Sequence, residues 1–157
     1  MELEYPDFTL INLYLPHGDR QKRNLAYKLE AYKRLFRKLE DFKDKNILLT
    51  GDFNIAHQKI DLARPAQNQD NIMFTPEERE QIDILIGMGF KDSFREFNKK
   101  SGNYTWWPYA YQARERNLGW RIDYIFASRG FSSKLEKAFI LSKVKGSDHC
   151  PIGVEIK

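Results

Sequence analysis

Apolar and polar positions change period several times along the chain, and each change marks an element. "FTLINLYLP" (8 to 16) is apolar and β-favouring on both faces until Pro16-His17-Gly18, which predicts a strand buried on both sides and then a turn. From Asn24 to Phe42 the positions Leu25, Leu29, Tyr32, Phe36, Leu39 and Phe42 recur at three- and four-residue spacing with Lys and Arg between them, the pattern of an amphipathic helix. "NILLTGDFN" (46 to 54) reads as a short apolar strand ending in a polar loop. "TPEEREQIDILIGMG" (75 to 89) offers Thr75 as N-cap, Pro76 at the first helical position and Glu78 for a capping box, with Gly87 or Gly89 as the stop. Beyond it "YTWW" (104 to 107), "WRIDYIFAS" (120 to 128), "EKAFILS" (136 to 142) and "PIGVEI" (151 to 156) read as strands. The early chain is therefore α/β and the late chain mostly β. Segments 56 to 74 and 108 to 119 are long and irregular, as functional loops in compact domains are.

Length adds that residues 1–157 suit one domain with a core of its own. Hydrophobic residues make up 41% and charged residues 31%, and no apolar run nears the roughly 18 residues that span a bilayer, so a soluble chain without membrane contact is expected. "MELEYPDFTLINLYLP" lacks the basic, apolar and small-residue regions of a secretory signal, and the single Cys150 excludes an internal disulfide. These features suit a cytoplasmic protein, nucleoid-associated in a prokaryote or nuclear in a eukaryote. A net charge of +4 and a pI near 9.1 tilt toward a polyanionic partner.

Four stretches put polar residues at expected strand ends: Tyr14 in "NLYLPHG", Asp52 and Asn54 in "GDFN", Asp123 in "RIDY", and Asp148 with His149 in "SDH". Residues two apart on a strand share a side, so Asp52 and Asn54 can turn a carboxylate and an amide oxygen toward one point. Such hard oxygen donors suit Mg²⁺ or Mn²⁺, and no Cys/His spacing for zinc is present. The plainer reading of "GDFN" is an Asp and an Asn closing a turn. His149 is either a satisfied histidine or an acid/base group, and Asp123 could orient its imidazole while Asp148 faces a metal. Cys150 reads as a small core residue. A divalent ion, a histidine with an orienting acid and a phenol together suit attack of water on a phosphodiester, with His149 or Asp52 taking the proton and Tyr14 holding the phosphate or leaving group.

"LTGDFNIAHQKIDLARP", "FTPEERE", "DSFRE", "YTWW", "GWRIDYIFAS" and "GSDHCPIGVEI" resemble, in order, motifs of the exonuclease III type of apurinic/apyrimidinic (AP) endonucleases, within the endonuclease/exonuclease/phosphatase superfamily. The likeness runs from about Phe8 to the C-terminus. It implies part of a four-layer α/β sandwich, face-to-face β-sheets with helices outside, lacking the family's N-terminal half. It also implies a Mg²⁺-dependent (or Mn²⁺-dependent) phosphodiesterase cutting double-stranded DNA at abasic sites or 3′ ends. Tyr14, Asp52, Asn54, Asp123 and His149 then match catalytic positions, and Asp52, Asn54, Asp148 and His149 the metal's surroundings. Asn68 and Asn71 match a DNA-facing loop, and Trp106, Trp107 and Trp120 the wall of a pocket for the flipped-out sugar. For Trp106 and Trp107 an ordinary core position is the alternative. Arg20, Lys22 and Arg23 on one side, and Arg114, Arg116 and Arg121 on the other, could hold phosphates or simply form a solvated face.

The chain starts partway through the family pattern, so the family's early asparagine and metal-binding glutamate have no counterpart in it. An unpaired closing strand follows, from which a homodimer, or association with a chain supplying the missing half, is expected. A non-catalytic DNA-binding remnant and a phosphatase of lipid or inositol phosphates are the competing functions.

Overall fold

The computed structural model describes residues 1–43 and 45–157. A five-stranded mixed sheet is its frame. Edge strand β1 (Glu2–Glu4) lies antiparallel to β2 (Thr9–Tyr14), and α1 (Leu25–Glu40) crosses over to β3 (Ile47–Asp52), which runs parallel to β2. α2 (Pro76–Gly87) leads to β4 (Phe90–Asp92) and the short α3 (Ser93–Phe97). β5 (Asp123–Ser128) inserts antiparallel between β3 and β4, giving the order β1-β2-β3-β5-β4. β6 (Leu135–Ile140) and β7 (Ile152–Ile156) form a separate antiparallel pair.

Because side chains alternate across a strand, β3 serves two cores. Ile47 and Leu49 face the helices and pack with Tyr32, Leu39, Ile82 and Leu85, whereas Leu48 faces away and joins Ala127, Phe131 and Leu135 beneath the β6–β7 pair. The result is an α/β sandwich layer with its helices outside. Thr75 caps α2 as its sequence predicts, accepting from the Glu78 N–H while Glu78 returns a carboxylate to the Thr75 N–H.

Two expectations need correction, and three short elements went unread. "YTWW" forms no strand; Trp106 instead makes single bridges with Trp120 and with His149. β5 begins at Asp123 rather than at residue 120. β1, β4 and α3 go unpredicted because three to five residues are too few for a hydrophobic period to register.

Candidate active site

Strand register assembles the site. Tyr14 ends β2, Asp52 ends β3 and Asp123 begins β5, and pairing sets Tyr14 opposite Asp52 and Asp52 opposite Asp123. Gly51 allows this closeness: its φ is 140°, and a Cβ there would lie 1.9 Å from the Leu13 carbonyl oxygen. Past Asp52 the chain turns sharply, with Asn54 in the left-handed region at φ 51°. The Asn54 N–H donates to Asp52 Oδ1 at 2.8 Å, and its Nδ2 donates to Asp52 Oδ2 at 3.0 Å and to the Leu15 carbonyl at 2.9 Å. Both amide hydrogens are thereby used, which leaves Oδ1 as the side chain's acceptor. Asp52 and Asn54 do meet, but through this turn and not by sharing one face of a strand, as the sequence suggested.

His149 reaches the same place from the segment before β7. Its Nδ1 lies 2.9 Å from Asp123 Oδ2, which leaves Nε2 as the free nitrogen. One ligand atom each from Asp52, Asp123 and His149 can be chosen so that all lie within 4.8 Å of one another, a grouping able to hold a metal ion. Asp148 is not part of it: its carboxylate accepts from Trp106 Nε1 at 3.0 Å and from Ser147 Oγ at 3.2 Å.

The electrostatics follow from this crowding. Burial first, and the facing Asp123 carboxylate second, push the Asp52 carboxyl up to about 6. The hydrogen bond that His149 donates to Asp123, helped by the charges of Asp123, Asp52 and Asp148, raises the imidazole above its ordinary value against the opposing effect of burial. Burial disfavours the Asp148 carboxylate, but hydrogen bonds from Trp106, the main chain and Ser147, with the nearby His149 charge, outweigh it and hold its pKa low. Two carboxylates facing each other, one of them reluctant to ionise, form a place where a cation fits: hard oxygen donors dominate and the repulsion needs a counter-charge.

The remaining candidate residues divide into two groups. Tyr14, 68% exposed, and Arg20 are open to solvent, and Trp106 and Trp120 are half-buried beside the site, Trp120 edge-on to Phe74. Asn68 donates to the Arg64 carbonyl and accepts from Asn71, so the pair holds its own loop together while Asn71 stays exposed. Trp107 and Arg121 are corrections to the DNA-facing assignment. Trp107 is 3% exposed in a core with Tyr104, Ala113 and Cys150, its Nε1 bound to Asn117 Oδ1. Arg121, 1% exposed, is held between Asp61 and Asp92, so its guanidinium has no path to a phosphate. Arg114 also turns inward: it stacks on Trp107 and donates to the carbonyls of Ser142, Val144 and Ser147, pinning the loop that leads to Asp148.

The Endonuclease/Exonuclease/phosphatase family matches residues 5–149. The chain belongs to that family. It is 38% identical over 152 residues to an exodeoxyribonuclease of Bacillus subtilis, covering 96% of this chain and 60% of that protein. To a DNA-(apurinic or apyrimidinic site) endonuclease of Dictyostelium discoideum it is 39% identical over 159 residues, covering 98% of this chain and 44% of the other. A 3′ phosphatase from Neisseria, solved bound to a product DNA hairpin, superimposes with a TM-score of 0.94 at 26% identity, over 99% of this chain and 63% of that one. The chain thus spans about half of the curated relatives it matches.

Within this family member, two groups of residues near the site went unread in the sequence. Tyr109 and Tyr111, 83% and 86% exposed, stand on the loop after Trp107, whose backbone is left-handed at Tyr111 and Gln112. Tyr109 lines a hollow of about 200 Å³ with Arg114, Lys145 and Asp148. An aromatic flanked by Pro and Ala carries no period, so only its exposure marks it. The second is Lys28, which helical spacing places among solvated lysines but which is fully buried. No helix among the described residues is long and apolar enough to cross a membrane.

Proposed function

We propose that this chain carries the function of a DNA repair phosphodiesterase of the exonuclease III type, acting on double-stranded DNA at abasic sites and 3′ ends. The observation that carries the reading is the meeting of Asp52, Asp123 and His149 at the end of β3 and the start of β5, beside the exposed Tyr14. The relatives named for exodeoxyribonuclease and AP endonuclease support the substrate class.

Asp52, Asp123 and the Asn54 amide oxygen would hold a divalent ion such as Mg²⁺, which when bound supplies positive charge against the phosphate. The roles of the side chains follow from their environments. His149, its Nδ1 held by Asp123 and its proton affinity raised, turns Nε2 toward the place of a phosphate oxygen, with which a proton on that nitrogen would hydrogen-bond. Asp52, ionised above about pH 6, is the group placed to take a proton from water. Asn54 keeps that carboxylate in one orientation through two hydrogen bonds. Tyr14 donates its phenol to the phosphate or the leaving oxygen. Trp106 and Trp120 form the apolar side against which a sugar without its base would rest, and Arg20 supplies a phosphate contact that reads no sequence. A second chain pairing along β7, whose partner among the described residues is β6 alone, is the association this geometry admits; a monomer in sedimentation equilibrium at micromolar concentration would overturn that part.

A substrate panel tests the reading. In Mg²⁺, the chain should turn over a duplex with one abasic site and a duplex with a 3′-phosphate, and should leave inositol phosphates untouched. Turnover of the inositol phosphates in preference to DNA would transfer the site to another branch of the family.

A further inference from the structure

The turn that carries Asn54 is held from behind by Lys28. The Lys28 ammonium is buried and donates to three acceptors from three segments: the Asn54 carbonyl at 2.7 Å, the His17 carbonyl at 3.1 Å and Glu78 Oε1 at 2.5 Å. An ammonium has three hydrogens, so donors and acceptors match one for one. Glu78 is itself fixed, because its second oxygen accepts from the Thr75 N–H at the start of α2.

An ion pair in this position is weak evidence of a stabilising role. Burial disfavours the Lys28 charge, the Glu78 charge opposes that effect, and an apolar pair of similar volume would fill a core as well. An apolar pair could not hold two main-chain carbonyls from the two sides of the site. His17 lies in the loop that leaves β2 after Tyr14, and Asn54 in the turn that leaves β3 after Asp52. The Asn54 backbone occupies a conformation that L side chains disfavour, and its two hydrogen bonds to Asp52 depend on that conformation. Lys28 anchors the carbonyl of that same residue.

We infer that Lys28 is a positioning residue: it locks the Asn54 turn to the Tyr14 loop, and through Asn54 fixes the orientation of Asp52. The inference rests on the nuclease reading for its activity readout, but its structural readout is independent of it.

Three variants separate positioning from mere ion pairing. Lys28→Met leaves Glu78 buried and unpaired, and should lower Tm by on the order of 10 °C. Lys28→Met with Glu78→Gln removes both charges and should recover most of that loss. Glu78→Gln alone keeps both carbonyl bonds of Lys28 and should retain kcat within about threefold. On abasic duplex, the double variant should show kcat reduced by about 100-fold with KM changed less than about twofold. The Asn54 side-chain amide signals in its ¹H–¹⁵N spectrum should shift and exchange faster. A folded double variant with wild-type kcat and unmoved Asn54 signals would make Lys28 an ion-pair partner only. If the wild-type chain turns over no DNA, the nuclease reading fails separately. The Asn54 signals then decide alone: movement upholds the positioning role and no movement overturns it.

Discussion

Asp123 Oδ2 lies 2.9 Å from Nδ1 of His149, across 26 residues of sequence, and this contact gives the imidazole both an orientation and a raised proton affinity. Asp123→Asn should therefore lower the His149 pKa, visible in an NMR titration of its ring protons. Loss of the positioned histidine should cost turnover by roughly 100- to 10,000-fold. A histidine that titrates unchanged in the variant would show that the contact does not govern its charge.

Asp52 links pH to metal binding. Its carboxyl, raised from 3.8 to about 6, must be ionised to hold a cation, while His149, also raised, stands beside it as the phosphate donor. Both groups have folded pKa values above their unfolded values. The stability each contributes is therefore present at low pH, below 3.8 for Asp52 and below 6.5 for His149, and is lost as pH rises through the folded value. A divalent ion held by Asp52 counters that group's loss only once its proton has left. Thermal unfolding with Mn²⁺ against EDTA should show a larger increment at about pH 7.5 than at about pH 5. Equal increments would place the ion elsewhere.

Arg121 and Arg20 should behave oppositely. Arg121→Ala removes the buried cation between Asp61 and Asp92, leaving Asp61 with Arg95 alone, and should cost about 3–5 kcal/mol of stability, read by denaturant unfolding. Arg20→Ala should leave stability alone and reduce the slope of log affinity for duplex DNA against log salt by about one. If Arg121→Ala instead lowered the salt slope in a fully stable protein, the burial of that guanidinium would be contradicted.

Tyr109 and Tyr111 stand out from a loop braced by Arg114, so truncating them should spare the fold. The double change to Ala should weaken binding to abasic DNA, by about 1–3 kcal/mol for each base or sugar face stacked, with Tm unchanged. Fluorescence anisotropy on a labelled duplex measures this directly. Undiminished affinity would remove the loop from the interface.

The sequence disclosed local features well and burial of polar groups poorly. Thr75 and Glu78 announce the start of α2 because a capping box is a three-residue pattern. The neighbourhood of Tyr14, Asp52 and Asp123 was legible as repeated polar residues at strand ends, although their register required the pairing of β2, β3 and β5. Arg121 looked like a surface cation because its partners Asp61 and Asp92 lie 60 and 29 residues away. Lys28 was hidden for the same reason: its Glu78 partner is 50 residues distant, and a helical period cannot tell a solvated lysine from a neutralised one. Trp107 shows the converse limit, since a tryptophan serves a core and a stacking surface equally well until its neighbours are known.

Incision of a duplex carrying a single abasic site, by the purified chain in Mg²⁺ with Asp52→Asn assayed alongside, tests the Asp52–Asp123–His149 site most directly. The account predicts cleavage that requires the ion and is abolished by the substitution. Cleavage that survives Asp52→Asn, or its absence from a folded chain that binds both DNA and the ion, would contradict it.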